Sequence, residues 1–254
     1  EKSAGRISAV ITEKGRIETS SVVLAGGAWS RLFCKGLDIR LPQLKVRNSV
    51  LRTGPIDGGP DGAGATGSYA YRKRLDGGYT IANGGINMHP LGPDSFAFFR
   101  EFQPARKAEG EAVQVGLSAL SWQELFEISA VSLDRPGAFE KHRILDPKPD
   151  VKSALKALTA AADAMPGLRN AKVEQIWAGM IDVTPDAVPI ISKLDSTPGL
   201  VIATGFSGHG FGIGPGAGHL VADLVTGHTP VVDPEPFRFS RFSDGTPIEF
   251  APPV

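Results

Sequence analysis

The apolar-rich stretch Arg6-Ile7-Ser8-Ala9-Val10-Ile11-Thr12 is a strand candidate. Glu13-Lys14-Gly15-Arg16 turns the chain and Ile17 to Thr19 returns, so a hairpin is predicted. Ser21-Val22-Val23-Leu24-Ala25 is a continuous apolar run, which predicts a strand buried on both faces of an α/β sheet. Gly26-Gly27 ends it, and Ala28 to Phe33 reads as a helical turn. Val46 to Thr53 predicts another strand, and Gly54 to Gly67 a loop. Ser68 to Arg74 and Gly78 to Ala82 flank the turn Leu75-Asp76-Gly77 as a second hairpin. Gln103 to Ala119 has mixed, partly helical character. Asp150 to Met165 is the clearest helix, because Val151, Leu155 and Leu158 recur at helical spacing. Pro149 precedes that helix and Pro166-Gly167 stops it. Lys172 to Trp177 and Gly199 to Thr204 predict strands, the second buried. A helix from about Pro215 to Thr226 ends at Gly227, and a Pro-rich surface tail follows Pro230.

Composition narrows the partners. Lysine plus arginine and aspartate plus glutamate number 27 each, so no net charge favours nucleic acid or an anionic surface. No apolar run reaches the ~20 residues that span a bilayer. The single cysteine, Cys34, cannot close an internal disulfide and reads as a small buried hydrophobe, which fits a reducing, cytoplasmic compartment. His89 and His142 have no partner at metal-ligand spacing, so no metal site is expected. His219 and His228 fall on the last helix and its exit.

Two segments carry candidate chemistry. Leu200 to Gly227 is a strand, a glycine-rich loop and a helix, with glycines at 205, 208, 210, 212, 214, 216 and 218. Such a loop lets the backbone approach a ligand closely, and the helix N-terminus offers free N–H groups to an anion. Gly212-Ile213-Gly214-Pro215-Gly216-Ala217 fits the loose dinucleotide fingerprint only with alanine as its third member. No Lys-Ser/Thr pair follows, which excludes a P-loop, and glycines that merely serve tight packing are the competing reading. The second segment, Trp177 to Ile191, ends a strand in a Thr184-Pro185-Asp186 turn whose side chains can bond nearby amides.

The two segments in this order resemble the FAD-dependent D-amino-acid-oxidase superfamily, which includes sarcosine oxidases, glycine oxidase and bacterial D-amino-acid dehydrogenases. Val22 to Ser30 is similar to the family's strand and turn at the flavin domain. Trp177 to Ile191 is similar to its Trp-x-Gly…Thr-Pro-Asp-x-x-Pro segment, and Ala203 to Phe211 to its C-terminal flavin-contacting loop. The resemblance covers about residues 6 to 228. It implies a mixed α/β (α+β) fold, with part of a Rossmann-like FAD domain and an antiparallel-sheet substrate domain. The expected organisation is 1–35 and 171–232 in the FAD domain, 36–170 in the substrate domain and 233–254 as tail. The implied activity is oxidation of the C–N bond of an amino acid or secondary amine by hydride transfer to flavin N5, giving an imine that hydrolyses. Gly26, Gly27, Trp29, Gly179, Ser207, Gly208, His209, Gly210, Phe211, Gly212 and Ile213 would contact the cofactor.

Departures from the family pattern matter. The flavin-linking cysteine of some sarcosine oxidases is replaced by Gly179, so FAD is expected to be non-covalent. A carboxylate-binding arginine found in glycine oxidase is replaced by Ile181, and the corresponding lysine of monomeric sarcosine oxidase by Gly212. Thr80 falls near the place of that enzyme's oxygen-activating lysine, a slight lean toward a dehydrogenase. Arg47, Arg72 or Arg74 then becomes the candidate carboxylate anchor, with Tyr69, Tyr71 and Trp122 as pocket or core aromatics. His209 reads either as a catalytic neighbour of the flavin or as a loop histidine fixed by backbone contacts. The family's Gly-x-Gly-x-x-Gly unit would precede Glu1, supplied by the same or a second polypeptide, and the segment alone should bind FAD poorly. The alternative is a flavoprotein-fold subunit of a multi-chain amine or opine dehydrogenase.

Overall fold

The computed structural model describes residues 1–84, 87–110, 113–129 and 136–250. Its first part runs β1 (Lys2–Ser3), β2 (Arg6–Ile7), β3 (Ala9–Thr12), β4 (Gly15–Glu18), β5 (Val22–Leu24) and α1 (Ser30–Gly36). The middle holds β6 (Leu44–Thr53), β7 (Ala63–Ala65), β8 (Tyr69–Lys73), β9 (Tyr79–Asn83), β10 (Asn87–Pro90), α2 (Pro93–Ala97), α3 (Gln103–Glu109), β11 (Val113–Gly116), α4 (Ala119–Ser129), α5 (Ala138–Lys141) and α6 (Val151–Ala164). The last part is β12 (Val173–Val183), β13 (Ile190–Lys193), β14 (Leu200–Thr204) and α7 (Gly210–Thr226). The fold is mixed α/β. Residues 111–112, within the stretch expected to be partly helical, and 251–254 of the tail lie outside the described residues.

The chain forms two compact units, Glu1–Leu44 with Asp94–Ala108 and Asp182–Val254, and Lys45–Pro93 with Glu109–Ile181. The 36–170 stretch read as one domain is thus interrupted by Asp94–Ala108, and 171–181 groups with the second unit.

In the first unit β14 lies between β13, antiparallel, and β5, parallel. All five residues of β14 are buried, as its apolar run requires. The run at β5 misleads: Val23 is 39% exposed and its neighbours are half-buried. An edge strand is shielded less than a central one. Cys34, Ile39, Leu41, Ile190, Leu194, Leu200 and Ile202 form the core. Cys34 is fully buried there, and loss of water around its thiol pushes the pKa up to about 12. Asp94–Ala108 is tied in by Phe98, buried between the guanidinium groups of Arg31 and Arg40, and by the Arg31–Asp94 ion pair at 2.9 Å. The expected surface tail is anchored as well, because Phe239 and Phe242 pack against this core.

The second unit carries a seven-stranded sheet in the order β11-β10-β6-β9-β8-β7, with β12 also paired to β6. The predicted hairpin is β8–β9, in register Tyr69↔Asn83 to Lys73↔Tyr79. α6 packs on it and is capped by Asp150, whose carboxylate accepts the Ser153 N–H at 3.0 Å. Its inward face is built mainly from alanines, with Leu158 packed beside them. Ala154, Ala157, Ala161 and Ala162 are buried, while Val151 and Leu155 are 47% and 42% exposed. Small residues let the helix approach the large Tyr69, Tyr79 and Leu51 side chains of the sheet.

Candidate functional site

At the end of β14 the chain enters conformations that regular structure does not supply. Gly205 has φ 75°, Ser207 φ 50° and Gly208 φ 89°. Ser207 adopts the left-handed region because its own side chain and its neighbours hold it there. Its hydroxyl donates to the Gly205 carbonyl at 3.1 Å and accepts the Thr184 N–H at 3.3 Å. Its N–H donates to the Asp182 carbonyl at 3.0 Å. At Gly205 a Cβ would overlap Thr184 Cγ2 as well as strain the backbone. Gly205→Ala is therefore expected to destabilise the first unit by about 2–4 kcal/mol, measured from urea unfolding midpoints.

A polar knot lies under this loop, with Gln43 and Thr204 buried and Asp182 half-buried. One oxygen of Asp182, Oδ2, accepts the Gly205 N–H at 2.6 Å, the Thr204 hydroxyl at 3.0 Å and the Gln43 amide at 3.0 Å. Gln43 Nε2 also reaches Thr204 Oγ1 at 2.9 Å and the Gly27 carbonyl at 3.3 Å, and its Oε1 accepts the Arg31 N–H at 2.9 Å. The turn after β5, the segment before β6, the end of β12 and the end of β14 therefore meet at one point. The Thr-Pro-Asp turn is fixed beside it. Thr184 Oγ1 donates to the Val188 carbonyl at 2.8 Å, and Asp186 accepts the Val188 N–H at 3.1 Å. Asp186 also forms a two-point ion pair with Arg241, at 2.7 and 3.2 Å.

α7 begins at Gly210, five residues before the start read from Pro215, and Pro215 lies inside it. His209 is its N-cap residue without a side-chain capping bond; its carbonyl accepts the N–H groups of Gly212 and Ile213 at 3.1 and 3.3 Å. The opening of the helix is bare. Phe211 is 99% exposed, and a Cβ added at Gly212, Gly214, Gly216 or Gly218 would meet no atom of the chain within 4 Å.

The structure thus gathers Gly26, Gly27 and Trp29 with the Ser207–Ile213 stretch in the first unit, through the Gly27 carbonyl and the Asp182 knot. Gly179, Ile181, Arg47 and Tyr71 belong to the second unit. Gly179 is exposed on β12, two residues from half-buried Ile181. Arg47 donates to the Lys148 carbonyl at 3.1 Å, while its buried Nε has no partner among the described residues. Tyr71 packs its ring between those of Tyr69 and Tyr79, at 6.4 and 6.1 Å. His89 bonds the Lys45 carbonyl at 2.8 Å, and His142 approaches Glu127 at 3.4 Å. No group of metal-ligating side chains occurs among the described residues. Sequence reading missed Gln43, Asp182 and Arg241. The available signal was a charged residue set in the apolar end of a strand, Met180-Ile181-Asp182-Val183.

The chain is similar to known proteins along most of its length. The family described as FAD dependent oxidoreductase, DAO, matches residues 1–224. The D-amino acid dehydrogenase of Chromohalobacter salexigens is 27% identical over 96% of this chain and 45% of its own length. The glycine oxidase of Pseudomonas aeruginosa is 26% identical over 91% of this chain and 49% of its own length. Among solved structures, the L-amino acid deaminase of Proteus vulgaris superposes with a TM-score of 0.87 at 33% identity, over 95% of this chain and 56% of that one. The enzyme of that name from Proteus myxofaciens, in complex with anthranilate, gives 0.88 at 32% identity, over 96% of this chain and 54% of that one. The chain spans about half the length of the curated relatives it matches. No helix of the described residues is long and apolar enough to cross a membrane.

Proposed function

Since the chain belongs to the FAD-dependent oxidoreductase family, we propose that the protein carrying it oxidises the C–N bond of an amino acid or secondary amine with non-covalently held FAD. The observation that carries this reading is the bare glycine edge of α7, joined through Asp182 to the Gly26–Trp29 turn. Glycine costs a helix about 1 kcal/mol relative to alanine at each position. Among the described residues, no atom occupies the place a Cβ would take at Gly212, Gly214, Gly216 or Gly218. A reason to keep glycine there is something laid against that edge, and a flat ring system with its neighbouring backbone fits it. FAD, when bound, accepts the hydride that leaves the substrate carbon.

Gly26, Gly27, Trp29 and Ser207 to Ile213 would hold the isoalloxazine part. The start of the 17-residue α7 presents N–H donors and a partial positive charge to the negative charge that builds up on reduction. Cys34 is sealed in the core, and Gly179 offers no thiol, which supports attachment without a covalent bond. The adenosine half of the cofactor needs residues beyond this chain, from the same polypeptide or another, and the segment alone is expected to bind FAD poorly. We assign the second unit to the substrate. Arg47, with its unpartnered Nε, is the candidate anchor for a carboxylate, and Ile181 and Tyr71 supply apolar lining.

The complete protein is expected to be yellow, and to bleach anaerobically with members of a panel of D- and L-amino acids and N-alkylated amines. A protein that stays colourless after reconstitution with FAD would sink the reading. Turnover by the single complete chain with an artificial electron acceptor separates it from a subunit that acts only through a partner.

A further inference from the structure

We propose that Asp182 is a positioning residue that sets the path of the loop 205–210, and thereby aims the donors assigned above to FAD; the inference rests on that assignment. The loop passes through positive φ at Gly205, Ser207 and Gly208, where neither strand nor helix partners are available. Asp182 supplies the missing acceptors from both its side chain and its main chain. Its Oδ2 takes the Gly205 N–H at 2.6 Å at the loop's entry, and its carbonyl takes the Ser207 N–H at 3.0 Å at the crest. One residue thus fixes both positions between which the chain reverses.

The proton count supports an acceptor-only group at this point. Thr204 has one hydroxyl proton and Gln43 two amide protons. They are shared among Asp182 Oδ2, Thr204 Oγ1 and the Gly27 carbonyl, and the Gly205 N–H adds a fourth donor. Thr204 and Gln43 are 0% and 1% exposed, so their donors depend on acceptors within the protein. Because Gln43 and Thr204 also hold the Gly27 carbonyl, the same carboxylate couples the loop to the Gly26–Trp29 turn. Asp182 acts from beneath the loop and is not itself a catalytic residue.

The test uses the complete protein with Asp182→Ala, Asp182→Asn and Thr204→Val. Asparagine keeps an oxygen in place to accept these bonds, whereas alanine removes it. In Asp182→Ala the dissociation constant for FAD is expected to rise by about tenfold or more, and the visible flavin band to change shape. Hydrogen exchange at Gly205 and Ser207, in the FAD-free protein, should accelerate by a similar factor while β13 amides stay protected. Asp182→Asn is expected to restore most of all three, and Thr204→Val to fall between. If Asp182→Ala does not fold, the asparagine and valine variants decide: Thr204→Val indistinguishable from wild type overturns the proposal. Wild-type affinity, spectrum and loop exchange in Asp182→Ala overturn it too, as does uniform acceleration across the first unit. Wild-type protein that binds no FAD defeats the functional reading, and the exchange measurement still decides whether Asp182 anchors the loop.

Discussion

Gly212→Leu is expected to weaken FAD binding by the complete protein by about 30- to 150-fold, with folding unchanged or slightly firmer. Gly212 is the third residue of α7, exposed, and its Cβ direction is open. Leucine suits a helix better than glycine by nearly 1 kcal/mol, so the variant has no internal reason to unfold. A ring laid against this edge, however, would be pushed out of hydrogen-bond reach of the loop. Losing two such bonds at about 1–1.5 kcal/mol each gives the stated factor. Flavin fluorescence titration reads the affinity, and thermal unfolding reads the fold. Ala222→Leu, at an exposed position near the other end of α7, should leave affinity unchanged. Equal affinity in Gly212→Leu and wild type would remove the glycine edge from the cofactor site.

The largest stability effect is expected at the C-terminal strap. Arg241 and Asp186 have side chains only 5% and 10% exposed and meet through two contacts. Arg241 also donates to the Arg238 and Val188 carbonyls, each at 2.8 Å, and its guanidinium lies 4.2 Å from the Phe242 ring centre. Arg241→Ala leaves a buried carboxylate without its counter-charge, which costs about 3–5 kcal/mol. For a chain of this size that lowers Tm by roughly 6–20 °C. Arg241→Lys keeps the charge but not the planar fork, so it should fall between. Combining Arg241→Ala with Asp186→Asn should recover part of the loss, because the stranded charge is then gone. A shift of under about 1 kcal/mol in Arg241→Ala would mean that the strap contributes little.

These two predictions draw on different kinds of information. The glycines of α7 are visible in the sequence, and so is the resemblance of Ala203 to Phe211 to a flavin-contacting loop. The hairpins, β14 and the ends of α6 are legible as well, because runs, alternation and stop residues are local signals. The inward face of α6 is not marked by the apolar spacing alone: Ala154, Ala157, Ala161 and Ala162 are buried and Leu158 packs beside them, while Val151 and Leu155 stay exposed. The start of α7 is misread because Pro215 suits a first turn, whereas His209 and the loop begin the helix five residues earlier. The Asp182 knot is illegible for another reason. Its bonds join residues 23 and 139 positions apart, and the Asp186–Arg241 pair spans 55. A charged residue inside an apolar strand signals that a partner exists, not which partner it is.

The most direct test of the cofactor assignment is a structure of the complete protein with FAD bound. The expected result places the isoalloxazine ring against the backbone of Ser207 to Gly212, within about 3.5 Å of the Gly208, Gly210 or Phe211 amides, with the α7 glycines covered. A ring seated elsewhere, with that glycine edge still facing solvent, would contradict it.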